Sequence, residues 1–184
     1  MGRLDTKANI LELAHVGDSF CIVYFRNGVS RLLTTNQNEQ FDRQVFDLIR
    51  CISEKRQIMP REARRDTRVE SKLIEMTQLK CNNPTGVGCG LLNGDERVKR
   101  YIEYRILPLS DVSAVLIGSD GLVPQGWLVE HERCRADMYE ALQARGFQRL
   151  IAIKRDSEDA DSAWWHIRYK HSDDATGIFA ELAQ

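Results

Sequence analysis

The sequence predicts an α+β fold, a β-sandwich of two sheets with helices on the outside. Three observations carry that prediction. Period-two stretches occur in groups at Ile10 to Leu33 and Tyr101 to Gly118, apolar residues at helical spacing follow each group, and a last alternation closes the chain at Ala175 to Leu182.

Ile10 to Val16 alternates as a strand, Gly17-Asp18-Ser19 turns the chain, and Phe20 to Phe25 returns. Asn27-Gly28 leads into Val29 to Leu33, because both turn residues tolerate the positive φ of a two-residue primed turn. The expected arrangement is an antiparallel meander. Beyond the polar break Thr34 to Gln40, the residues Phe41, Val45, Leu48, Ile49 and Ile52 recur at helical spacing and predict a helix to about Lys55. Val69, Leu73 and Met76 place a second helix between Glu62 and Lys80, with Pro60 as its boundary. The two helices are expected to pack together against the sheet.

Cys81 to Glu96 is rich in Asn and Gly. A phosphate cradle would need a following helix N-terminus and a P-loop Lys-Ser/Thr, so the segment reads as turns and a connection. Tyr101 to Leu107 alternates as a half-buried strand, Pro108 ends it, Ser110-Asp111 turns, and Ser113 to Gly118 is expected to return as its partner. Next comes a helix over Arg135 to Arg145, with Met138 and Leu142 inward and Gly146 as its stop. Phe147, Leu150, Ile151 and Lys154 mark a further helix, and Asp156 to Asp161 an acidic loop.

Composition narrows the function classes. A chain of 184 residues with 42% hydrophobic and 29% charged residues suits one globular domain over 1–184, and its net charge of −1 gives no general attraction to nucleic acid or acidic membrane. The densest basic stretch, Arg61, Arg64, Arg65 and Arg68, is interleaved with Glu62, Asp66 and Glu70 and reads as a solvated helix face. Five cysteines without a CxxC pair suit free thiols in a reducing compartment, and no apolar stretch is long enough to span a bilayer. Together these point to a cytoplasmic protein that binds neither nucleic acid nor membrane.

The chemistry concentrates at strand ends. Val115 to Gly118 runs into Ser119-Asp120-Gly121-Leu122, Leu13 to Val16 runs into Gly17-Asp18-Ser19, and Asp173-Asp174-Ala175-Thr176 precedes the last alternation. Each aspartate alone is accounted for as a turn former. Converging, they offer the oxygen ligands that a hard cation such as Mg²⁺ or Mn²⁺ takes. His15 matches no such role and reads as a satisfied core or sheet histidine.

These motifs, in this order, resemble the latter two-thirds of the metal-dependent protein phosphatases, the type 2C or PPM-type serine/threonine family, over essentially Ile10 to Leu182. The resemblance implies an α-β-β-α sandwich and two divalent ions, Mn²⁺ or Mg²⁺, that bridge and activate a water for attack on a phosphoserine or phosphothreonine of a protein substrate. It makes Asp120 and Asp173 metal ligands of one site, and Asp18 a ligand that, with Asp120, holds a looser third ion in many members. Asp174, where the family often has Asn, is expected beside the ligands rather than among them, with Gly121, Ser119 and Gly17 shaping the turns.

The family's opening strands carry an acidic ligand, an Asp-Gly whose Asp bridges the metals, and often a phosphate-gripping arginine. Here Met1 to Asn9 alone precede the first expected strand, and the only Asp-Gly is Asp120-Gly121. The expectation is a phosphatase domain lacking those strands, with open sheet edges and an uncovered apolar face. The alternatives are a pseudophosphatase that binds phosphoproteins, and a separate chain that supplies the missing strands.

Overall fold

The computed structural model describes residues 1–85 and 88–182. Its strands are β1 (Gly2–Asp5), β2 (Ile10–His15), β3 (Phe20–Phe25), β4 (Ser30–Leu32), β5 (Glu103–Pro108), β6 (Val112–Gly118) and β7 (Gly177–Glu181). Its helices are α1 (Glu39–Arg56), α2 (Pro60–Ala63), α3 (Thr67–Lys80) and α4 (Glu132–Ala160). The strands form two antiparallel sheets, ordered β1-β2-β5 and β4-β3-β6-β7. The fold is α+β, as expected.

The pairing differs from the expected meander. β2 and β3 lie in different sheets, and Gly17, at φ +84°, turns the chain from one layer to the other. β5 and β6 are likewise divided: β5 pairs with β2, and β6 with β3 and β7. Alternation reports which side chains can be buried: β2, β3 and β6 each bury a face, whereas the residues of β5 are exposed or at most half-buried. Leu11 and Leu13 of β2 pack against Cys21, Val23 and Val115 across the space between the sheets. What alternation does not report is which main chain lies alongside. The first strand also begins earlier than expected, at Gly2, because β1 is held by ladder hydrogen bonds to β2 while Gly2, Arg3 and Leu4 stay exposed.

The other face of the larger sheet packs on α4. Phe20, Ile22, Tyr24, Ala114 and Leu116 meet Met138, Leu142 and Leu150 in a second core. As expected, the first helical run stops at Arg145 and Gly146, whose backbones are non-helical, Gly146 at φ 61° and ψ −154°, a state that favours glycine, and a second run follows, so α4 is two helices joined across a kink. The buried Arg135 pins edge strand β4 to the helix: its Nε donates to Ser30 Oγ at 2.9 Å, its Nη2 to Ser30 O at 3.1 Å, and its Nη1 to the Val129 and Glu130 carbonyls.

The helix pair differs from expectation in two ways. The stretch from Glu62 to Lys80 is broken, because the Asp66 side chain accepts the Arg68 N–H at 3.0 Å and starts α3 afresh. And the core of α1 and α3, built on Phe41, Val45, Ile49, Val69 and Met76, closes on Ile167 and Tyr169 of the C-terminal loop rather than on strand residues. The three-stranded sheet accordingly keeps an open apolar face: Ile102, Tyr104 and Ile106 are 44%, 60% and 56% exposed, and β5 is an end strand.

Candidate functional site

The end of β6 and the segment before β7 are clamped together. Gly118 and Gly177 are partners in the ladder, and the nearly inaccessible Leu122 packs so closely over both that a β-carbon on either would touch its Cδ1. One residue on, the Ser119 N–H donates to Thr176 O at 2.9 Å, the Thr176 N–H donates to Ser119 Oγ at 3.1 Å, and that hydroxyl donates to Asp174 O at 3.2 Å. Gly121 then passes so close to the Asp174 carbonyl that a side chain there would collide with it. Asp120, on the 3-10 turn Asp120–Leu122, is thereby held beside Asp173 and Asp174.

Asp18 is fixed from the other side. Gln37 Oε1 accepts the N–H groups of Gly17 at 3.1 Å and Gly90 at 3.2 Å, while its Nε2 donates to Tyr101 O at 2.7 Å. Asn38 Nδ2 donates to Asp18 Oδ2 at 2.9 Å. One side chain from the loop before α1 thus ties three segments to the Asp18 turn.

The carboxylates sense one another. Burial, then the negative charges of Asp18 and Asp173, push the Asp120 carboxyl above its ordinary value, with the Gly121 amide and Lys154 pulling back. Asp42, in the first turn of α1, is raised to about 6 by burial, with the Asp18 and Asp120 charges adding to the rise and the Tyr169 hydroxyl, which donates to Asp42 Oδ1 at 2.6 Å, opposing it. Asp173 is instead neutralised locally: Lys170 Nζ lies 2.6 Å from its Oδ1, which also accepts the Asp174 N–H at 2.7 Å. Among the described residues, no group of three His, Cys, Asp or Glu side chains is gathered tightly enough to hold a metal ion. The donor chemistry nonetheless suits a hard divalent cation, being carboxylate oxygen, with Asp120 raised by burial and by the charges of Asp18 and Asp173.

Two cavities meet at Asp120. One, of about 250 Å³, is lined by Asp42, Asp120, Asp173, Lys154, Arg168 and Lys170 among others. The second, of about 420 Å³, runs past Asp18, Asp120, Trp127 and His131. Behind the first lies a buried ionic cluster. Glu158 is 1% exposed, with Lys154 Nζ at 3.3 Å and Arg155 Nη1 at 2.7 Å, and Ser172 donates to it at 2.9 Å. Burial opposes its ionisation, but these partners outweigh burial and hold the carboxyl below its ordinary value.

Sequence reasoning did not find Asp42, Glu158 or Lys170. Asp42 looks like any acid in a helix's first turn. The signal available for Glu158 was Lys154 on the inward apolar stripe with an acid four residues on. His15 is buried as expected, and burial lowers its pKa while the Ser19 backbone opposes that shift.

A solved structure described as that of a C. elegans sex determining protein is similar at 15% identity and a TM-score of 0.46, over 96% of this chain and 38% of that one. The chain therefore spans well under half the length of that relative. No curated protein matches. A family model for protein phosphatase 2C matches residues 4–153, most of the 184, and the chain belongs to the protein phosphatase 2C family.

Proposed function

We propose that the chain is one type 2C-like domain that hydrolyses phosphoserine or phosphothreonine in proteins with the help of Mn²⁺ or Mg²⁺. The family generally uses divalent metals. The observation that carries the reading is Asp120, set where two cavities meet and raised in pKa by burial and by the charges of Asp18 and Asp173. Asp120 and Asp173 would hold one cation, with Asp18 joining Asp120 at a further one, and Gly17, Ser119, Gly121 and Asp174 would set the turns that present them. A cation held there would supply Lewis-acid polarisation and lower the pKa of a bound water toward neutral pH. Lys154, Arg168 and Lys170, which line the first cavity with Asp120 and Asp173, would orient the phosphoester there.

A second reading is a pseudophosphatase that captures phosphoproteins without turnover. It is favoured by the 2.6 Å ion pair that already occupies Asp173 and by the dispersed acids.

Release of inorganic phosphate from a phosphothreonine peptide, with and without Mn²⁺, separates the two readings. The catalytic reading expects metal-dependent release that Asp120→Asn and Asp173→Asn each abolish while circular dichroism is unchanged. Absence of release, together with peptide capture that survives both substitutions, overturns it in favour of the binding module.

A further inference from the structure

Cys81 follows the last turn of α3, and Cys89 returns beside it. Their main chains form an isolated parallel bridge, with the Asn82 N–H donating to Cys89 O at 2.9 Å and the Cys89 N–H donating to Lys80 O at 3.1 Å. Gly88 makes the approach possible, since a side chain there would run into the Lys80 carbonyl. The two sulfurs lie 3.7 Å apart. Bridged strands run about 4.8 Å apart, inside the Cα separation of roughly 4.4 to 6.8 Å that a disulfide spans. Closing the sulfurs to about 2.05 Å therefore needs side-chain rotation and little backbone movement. Among the described residues no other two thiols are in contact, and Cys21 is sealed in the inter-sheet core.

We propose that Cys81 and Cys89 form a reversible intramolecular disulfide with a hydroperoxide as oxidant. Cys81 is the more accessible, so its thiolate attacks the peroxide oxygen. The O–O bond breaks, the leaving oxygen departs with a proton as water or alcohol, and Cys81 becomes a sulfenic acid. Cys89 then attacks that sulfur, the S–O bond breaks, and the hydroxyl leaves as water with the Cys89 proton. Two thiols lose two electrons and the peroxide gains them. Burial, reinforced by the neighbouring Cys81 thiol, pushes Cys89 up to about 12, so Cys89 gives up its proton to the departing hydroxyl only as it attacks, and this second step is the slower one.

The bond has a route to the Asp18 turn. Cys89 continues into Gly90, which shares the Gln37 Oε1 acceptor with Gly17. A covalent link at 81–89 anchors one of the three segments that hold this turn. The two cysteines also line a cavity of about 160 Å³ that reaches Asp42 and Tyr169.

The test is made on the whole reduced chain and does not depend on phosphatase activity. The protein is treated with hydrogen peroxide, alkylated with iodoacetamide and digested with trypsin, which releases both cysteines on the single peptide Cys81 to Arg97. The expected product is that peptide unalkylated and lighter by two hydrogens, with double alkylation restored by dithiothreitol. A variant carrying both Cys51→Ser and Cys134→Ser gives the same product, and Cys89→Ser does not. Double alkylation after peroxide, a sulfinic acid without a disulfide, a link to another cysteine, or a link between chains overturns the proposal.

Discussion

Replacing Asp42 by Asn isolates the electrostatic cost of the acidic site. Asp42 has a folded pKa raised from 3.8 to about 6. Between those values the folded chain keeps a proton that the unfolded chain has released, so its stability is complete below about pH 4 and is lost as the pH rises through about 6. At 1.36 kcal/mol per pH unit the loss is at most about 3 kcal/mol. Asp42 is only half-buried, so solvent screening reduces that figure, and the N-terminal turn of α1 favours the anion by about 0.5 kcal/mol. About 1 kcal/mol remains. Asn has no proton to lose, and its carbonyl oxygen still accepts from Tyr169. Urea unfolding in EDTA at constant ionic strength should therefore show Asp42→Asn equal to the parent chain at pH 4 and about 1 kcal/mol more stable at pH 7.5. A difference that stays constant with pH, or that grows on acidification, would refute the argument that Asp42 is ionised against burial and its acidic neighbours.

Two further substitutions probe how the site is held. Gly121→Ala puts a methyl group against the Asp174 carbonyl, so the loops that carry Asp120 and Asp173 must separate. Thermal unfolding should register a loss of about 1 to 3 kcal/mol, and a neutral result would show that the clamp has slack. Arg135→Met removes the donor group shared by Ser30, Val129 and Glu130 and takes away the partner of the buried Ser30 carbonyl and of the partly buried Val129 and Glu130 carbonyls. A loss of about 1 to 3 kcal/mol is expected, with hydrogen exchange rising first in β4.

Much of the local structure was legible because its causes are local. The helical spacing from Phe41 to Ile52 gave α1 nearly to its ends, and Met138 and Leu142 face inward as their spacing requires. Other elements were hidden for definite reasons. β1 has no alternating apolar pattern, because its main chain rather than its side chains makes the contacts. The break before α3 depended on one capping carboxylate, Asp66, within a stretch whose apolar period continues across it.

The family was legible in the sequence itself, in Gly17-Asp18-Ser19 and Ser119-Asp120-Gly121 at strand ends within the matched residues 4–153, because turn chemistry constrains residue type at short range. Tertiary structure alone decided which strands are neighbours, since β2 with β3 and β5 with β6 share hydrophobic partners across the sandwich but no hydrogen bonds within a sheet. It alone brought Asp42 of α1 to the aspartates, set Lys170 on Asp173, and placed Cys81 against Cys89. Periodicity fixes the face a side chain takes. Which distant face it meets follows from how the layers close over their apolar surfaces, and no local pattern carries that information.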